Sequence, residues 1–83
     1  MIIEVALHEQ PNRKLMIRCL VTSTVYQLKE QIVARASTSG HRNFVPEQAE
    51  QVCLWLQGRR LRNSQKLFAA GITGGCQVVL SRV

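Results

Sequence analysis

The 83-residue sequence predicts an α+β fold in which a mixed sheet of four to five strands packs on one main helix. Three observations predict it. Several short segments alternate between apolar and polar residues, which is typical of half-buried strands. One stretch instead repeats its apolar residues at the spacing of a helix. These segments follow one another in ββαββ order, with a short extra helical turn before the last strand.

The first two predicted strands form an antiparallel hairpin. Residues 1–7 alternate, and so do residues 15–21. Residues 8–13 lie between them and contain Pro11 followed by Asn12, which predicts a turn. In the second strand, alternation predicts that four residues point into the core, namely Leu15, Ile17, Cys19 and Val21.

The helix is predicted to begin after Thr24. Thr24 and Gln27 have the spacing of a capping box, in which each side chain satisfies a backbone N–H group at the helix start. A single apolar stripe follows, and we expect the helix to end within residues 36–38. The stripe consists of Val25, Leu28, Ile32 and Ala36. Polar residues 37–43 then predict a loop, and residues 45–48 a turn or a short helical start.

The second half of the chain predicts two further strands. In residues 52–56, alternation places Val52, Leu54 and Leu56 inward and the side chains of Cys53 and Trp55 outward. Gly58 is predicted to turn the chain, and Leu61 to be an inward anchor. Residues 64–70 predict a helical turn closed by Gly71, and residues 77–83 the last strand, with Val78 and Leu80 inward.

Composition and charge limit the classes of function that this protein can have. The length predicts one domain, residues 1–83, and 46% hydrophobic residues predict a folded one. No apolar run is long enough to cross a membrane, and we expect no membrane association. Three widely spaced cysteines without a C-x-x-C pair predict reduced thiols in a cytoplasmic or nuclear protein. The net charge of +6 favours acidic partners.

No residue pattern predicts catalysis, a metal site or a cofactor. His8 and His41 lie in predicted loops without spaced partner ligands. Cys53 has no histidine partner in the sequence pattern that would activate it as a nucleophile. Glu30 is the only acidic residue of the main helix, so no carboxylate pair suggests acid–base chemistry. We therefore expect a non-enzymatic protein.

The order and spacing of these segments resemble the ubiquitin-like domains of the ubiquitin superfamily. The resemblance is strongest over residues 24–32 and 45–80, in Thr24-Val25 with Leu28-Lys29, and in the run Leu54-Trp55-Leu56-Gln57-Gly58-Arg59-Arg60-Leu61. It implies a β-grasp fold. Relatives that are conjugated to other proteins end in a flexible Gly-Gly tail, whereas Gly74-Gly75 precedes the last predicted strand and is predicted to be a tight turn. The resemblance therefore points to the non-conjugated type.

The resemblance also implies where partners bind. In ubiquitin, partners dock on an apolar patch of the outer sheet face, and the matching positions here are Trp55 and Val79. With β-grasp strand order, Ala6, Val79 and Trp55 lie side by side. Arg59 and Arg60 lie at one rim and Cys53 lies next to Trp55. The predicted partner-binding residues are thus Ala6, Cys53, Trp55, Arg59, Arg60 and Val79. A register shift by one residue would instead turn Trp55 into the core.

The resulting prediction is a ubiquitin-like interaction domain, the N-terminal module of a longer protein and a monomer in isolation. The family implies that such a domain recruits its host to the proteasome, to ubiquitin-binding receptors or to related machinery, and binds an acidic or amphipathic helical segment. Two alternatives remain at this stage. One is a small basic nucleic-acid-binding domain, suggested by the net charge. The other is a conjugatable modifier truncated before its Gly-Gly tail.

Overall fold

The computed structural model describes residues 1–38, 45–46 and 48–83, so most of the loop predicted over residues 37–43 lies outside the described residues. The elements in chain order are β1 (Ile2–Leu7), β2 (Gln10–Arg18), α1 (Val25–Thr38), one turn of 3-10 helix (Ala49–Gln51), β3 (Val52–Leu56), β4 (Arg59–Arg60) and β5 (Gln77–Arg82).

The five strands form one mixed sheet in the order β2-β1-β5-β3-β4. β1 and β5 pair in parallel at its centre, and the other neighbours pair antiparallel. The predicted placement of β1 between β2 and β5, with β3 beside β5, is confirmed. Helix α1 contacts β2 and β3, and the sheet and this helix enclose the core. The predicted α+β, β-grasp architecture is therefore correct.

The helix begins where the capping box predicts. The Thr24 backbone N–H donates to Oε1 of Gln27 at 2.9 Å, and the Gln27 N–H donates to Oγ1 of Thr24 at 3.2 Å. All four residues of the predicted apolar stripe are buried, and they pack in one cluster with the inward residues of the strands. A hydrogen bond from the Tyr26 hydroxyl to Glu50 joins α1 to the 3-10 turn.

The first hairpin differs from its prediction at both ends of β2. The turn is confined to residues 8–9, and β2 begins at Gln10 because the pairing shifts register between Ala6 and Leu7. This irregularity accommodates the residues around Pro11 within an edge strand, where a missing N–H is tolerated. β2 ends at Arg18, so the inward position predicted for Val21 is wrong, and that side chain is 45% exposed.

The second half of the chain contains one strand, β4, that the sequence pattern did not predict. Gln57 and Gly58 both have positive φ, 52° and 81°, and this tight turn returns the chain as β4. Residues 64–70 form turns, and the short helical turn predicted here is limited to one hydrogen bond of helical spacing, from the Ala70 N–H to the Lys66 carbonyl at 3.0 Å. Gly71 nevertheless ends them at φ 88°, and the Ile72 N–H donates to the Leu67 carbonyl at 3.0 Å. Leu61 is buried as predicted.

The described residues contain no helix that is both long and apolar enough to span a membrane. Within the same part of the chain, no group of three or more His, Cys, Asp or Glu residues could hold a metal ion.

Candidate functional site

The outer face of the sheet carries one row of residues that crosses all five strands. Ala6 of β1 lies opposite Lys14 of β2 and Val79 of β5, and Trp55 of β3 lies opposite Val79 and Arg60 of β4. Directly paired residues point to the same face of a sheet, so Lys14, Ala6, Val79 and Trp55 share the face away from α1. Arg60 continues this row on the edge strand β4, where it also lines a cleft that contains Lys29 of α1. We call Lys14, Ala6, Val79, Trp55 and Arg60 the cross-sheet row.

Trp55 lies on this outer face and is half-buried. Its indole Nε1–H donates to Oγ of Ser81 at 2.9 Å, and Ser81 Oγ lies 3.8 Å from Sγ of Cys53. The ring is therefore held by a polar contact at one end while part of its apolar surface faces solvent. The alternative register, in which Trp55 would fill the core, is not the one observed.

The other predicted partner-binding residues differ in what they expose. Val79 is half-buried, and Arg59 and Arg60 are exposed. Ala6 and Cys53 are only 8% and 4% exposed. Ala6 therefore forms a low floor between larger side chains, and Cys53 contributes little surface beside Trp55. Arg59 lies opposite Leu56, so it alternates with Arg60 and projects from the other side of β4.

The two ends of the cross-sheet row are cationic. Lys14 lies 3.8 Å from Glu4, which offsets part of its charge. Arg60 forms no ion pair with any carboxylate of the described residues. The row thus has an apolar centre formed by Ala6, Val79 and Trp55. Arg60, the cationic end without an ion pair among the described residues, lies next to the indole.

Sequence reasoning missed two exposed apolar residues on the same face. Ile2 and Met16 are 45% and 56% exposed, and they lie on neighbouring strands, opposite Arg18 and Glu4 respectively. They extend apolar surface from the row toward the start of β1. Alternation in residues 1–7 already directs Ile2 outward, but the position of Met16 depends on the register of the first hairpin.

A second feature was also missed, and it lies beside the β3–β4 edge. Lys29 of α1 is only 4% exposed, and its ammonium group donates to Oδ1 of Asn63 at 2.6 Å. Burial lowers the pKa of Lys29, the positive charge of Arg60 lowers it further, and Cys53 acts in the opposite direction. Lys29 lies beside the apolar stripe of the helix and is not part of it. The helical pattern therefore does not predict that this lysine is buried.

A family model described as the ubiquitin family matches residues 3–82. The chain belongs to the ubiquitin family. Among solved structures it is similar to the ubiquitin of Caldiarchaeum subterraneum, with a TM-score of 0.78 and 19% identity over 100% of this chain and 92% of that one. At this identity the likeness shows a shared fold. No curated protein sequence matches the chain.

In this ubiquitin-family domain, Gly74 and Gly75 form a turn that leads into β5. Gly75 has a positive φ of 80°, and the Cys76 N–H donates to the Thr73 carbonyl at 3.1 Å. The Gly75 N–H also donates to the Ile2 carbonyl at 2.9 Å, which ties the turn to β1. The predicted tight turn is therefore confirmed, and both glycines are exposed residues of this turn within the folded domain.

Proposed function

We propose that this ubiquitin-family domain is a protein-interaction module that recruits its host protein to the proteasome, to ubiquitin-binding receptors or to related machinery. The proposal rests on the cross-sheet row. Its occupant is an acidic amphipathic helix of the partner, whose apolar side would cover Trp55 and Val79.

The apolar centre of the row supplies the main binding energy. A half-buried aromatic ring beside aliphatic side chains, with arginine at the border, has the composition of an interface hot spot. The hydrogen bond to Ser81 fixes the orientation of the Trp55 ring before binding, so little rotamer freedom is lost when a partner covers it. Ala6 keeps the floor of the face low, which suits the side of a helix.

The charge distribution would orient the bound partner helix. The chain carries a net charge of +6, and Arg60, next to Trp55, has no carboxylate partner among the described residues. Acidic side chains along one side of the helix would therefore lie toward β4. Charge pairs at such a rim change the rate of association and its salt dependence more than they change the affinity.

Titration of the 15N-labelled domain with an acidic ubiquitin-interacting helical peptide tests the proposal. We expect amide shifts centred on Trp55, Val79 and Arg60, with micromolar affinity. Trp55→Ala should weaken binding by about 2–4 kcal/mol. Phe68→Ala is the matched control, because this aromatic residue is 61% exposed but lies in a loop outside the sheet. Unchanged amides at Trp55 and Val79 at millimolar peptide would contradict the proposal.

Nucleic-acid binding is the competing function that the positive net charge suggests. Its usual requirement is a basic groove with several stacking aromatic residues on one surface. Here Tyr26 lies on α1, Trp55 on β3 and Phe68 in a loop, which weighs against a shared stacking platform. Binding of a single-stranded oligonucleotide with a steep salt dependence, lost in Trp55→Ala, would favour this alternative instead.

A further inference from the structure

A positively charged cleft of about 430 Å³ lies beside the edge of the sheet formed by β3 and β4. It is lined by Lys29, Arg60, Leu61, Arg62 and Asn63. Three of these five side chains carry positive charge, and no carboxylate of the described residues forms an ion pair with any of the three. The cleft therefore concentrates positive charge without an internal counter-ion.

Lys29 is the unusual member of this set. A lysine ammonium group has three N–H donors, yet in the described part of the chain it has one hydrogen-bond acceptor, Oδ1 of Asn63. A buried ammonium group normally has a carboxylate partner, because removing the charge from water is costly. Arg60 repels the ammonium group, whereas the Cys53 side chain of β3 acts in the opposite direction. Unused donors thus line a cleft that is open to solvent.

The wall that carries Asn63 is held in place by the start of the helix. The Tyr26 N–H donates to the Asn63 carbonyl at 3.1 Å, and the Val25 N–H donates to the Gln65 carbonyl at 2.9 Å. Within the same turn, the Arg62 N–H donates to Oε1 of Gln65 at 3.0 Å. These bonds position Asn63 against Lys29 before any ligand arrives, as a binding site requires.

We propose that this cleft binds one oxyanion, a carboxylate or phosphate group, held by the Lys29 ammonium group together with Arg60 and Arg62. An oxyanion supplies several acceptors at once, which matches the unused lysine donors and the planar donor sets of two guanidinium groups. It also neutralises the buried charge. This site goes beyond the proposed function, because it can be occupied with no partner helix on the sheet.

Two titrations of the 15N-labelled domain test the site and separate the two sources of the oxyanion. Inorganic phosphate is added in one and acetate in the other, each at constant ionic strength against sodium chloride. We expect saturable amide shifts at residues 60–63 with at least one of the two anions. The ε-carbon of Lys29, followed by 13C NMR, should report a higher lysine pKa with the bound anion, because the anion stabilises the charged form.

Variants then distinguish a built site from general attraction to a basic protein. Lys29→Met and Arg60→Gln should each weaken anion binding by about tenfold or more, since each removes a charge-assisted contact. Lys66→Met is the matched control, because Lys66 is exposed and does not line the cleft. Arg60 is exposed, so its replacement keeps the test valid even if Lys29→Met disturbs the fold.

Three results would overturn the proposal. The first is the absence of saturable shifts with either anion. The second is an equal loss of binding in Lys66→Met. The third is a Lys29 pKa that does not respond to the anion. Because no peptide is present in these titrations, their failure would leave the proposed docking on the cross-sheet row unaffected.

Discussion

Trp55 and Ser81 lie on adjacent antiparallel strands, and the indole N–H of Trp55 donates to the Ser81 hydroxyl at 2.9 Å. The same hydroxyl is directed toward Sγ of Cys53 at 3.8 Å. One small polar residue thereby fixes the ring at the centre of the proposed binding face. It also keeps the indole N–H satisfied while the rest of the ring is available to a partner.

Ser81→Ala should free the indole and lower the free energy of unfolding by about 0.5–1.5 kcal/mol, the usual net value of one hydrogen bond. Urea unfolding followed by Trp55 fluorescence measures this loss. Ser64→Ala is the matched control, because Ser64 is exposed in a turn distant from Trp55 along the chain. Equal stability of the wild type and Ser81→Ala would show that the bond contributes nothing to the fold.

Thr24→Ala should remove one half of the capping box and lower the free energy of unfolding by about 1 kcal/mol. The reason is that the Gln27 N–H, bonded to Oγ1 of Thr24 at 3.2 Å, loses its acceptor. Thr22→Ala makes the same chemical change at an exposed residue outside the helix and should be nearly neutral. Similar losses in both variants would contradict the assigned cap.

Gly71→Ala should destabilise the domain by about 1–2 kcal/mol, because an L-residue resists the left-handed backbone at φ 88°. Steric conflict is not the cause, since an added Cβ would lie 3.7 Å from Cδ2 of Leu56, an ordinary contact. Gly74→Ala is the control. Its added Cβ would lie 3.7 Å from Met1, and its φ is not in the left-handed range. Thermal unfolding of both variants checks whether conformation alone separates them.

The hydrogen bond between Tyr26 and Glu50 should make stability depend on pH. It lowers the pKa of Glu50 from its ordinary 4.5 and raises that of Tyr26 from 10.0. A lowered carboxyl pKa means that the stabilisation is present above pH 4.5 and is lost as the pH falls through the folded-state pKa. A raised tyrosine pKa means that it is also lost as the pH rises above 10.0.

The Tyr26→Phe variant isolates this contribution. We expect it to be less stable than the wild type between these limits and equally stable in acid, as measured by urea unfolding across the pH range. Carboxyl 13C NMR should show the pKa of Glu50 rising toward 4.5 in the variant. A Glu50 pKa that does not change in Tyr26→Phe would show that the hydroxyl is not its partner in solution.

Most of the fold followed from local patterns in the sequence. The capping box predicted the first turn of α1, and alternation predicted all of β3, because both signals depend on residues close together in the chain. β4 was missed because two arginines carry no apolar alternation; their pairing arises from the turn at Gln57 and Gly58. Val21 was placed inward because its spacing continues that of β2 beyond the residue where the strand ends.

Less of the candidate site than of the fold could be predicted from the sequence. Alternation predicts that Trp55 points outward, and the strand order predicts its neighbours Val79 and Ala6. The hydrogen bond to Ser81 and the near-complete burial of Cys53 depend on tertiary packing that alternation does not describe. The Lys29 cleft lies furthest from prediction, because residues of α1 and of the chain after β3 meet there only once the sheet has formed.

The parallel pairing of β1 with β5 has a consequence for biosynthesis. The first and last strands of the domain meet at the middle of the sheet, so the β3–β4 pair cannot join β1 and β2 until residues 77–82 are in place. A ribosome makes those residues after all the other strands of the sheet, and pairing over such a long sequence separation is slow. We therefore expect the nascent polypeptide to form its helix first, while the β1–β2 pair and the β3–β4 pair remain separate. The sheet would be completed only after β5 has left the exit tunnel.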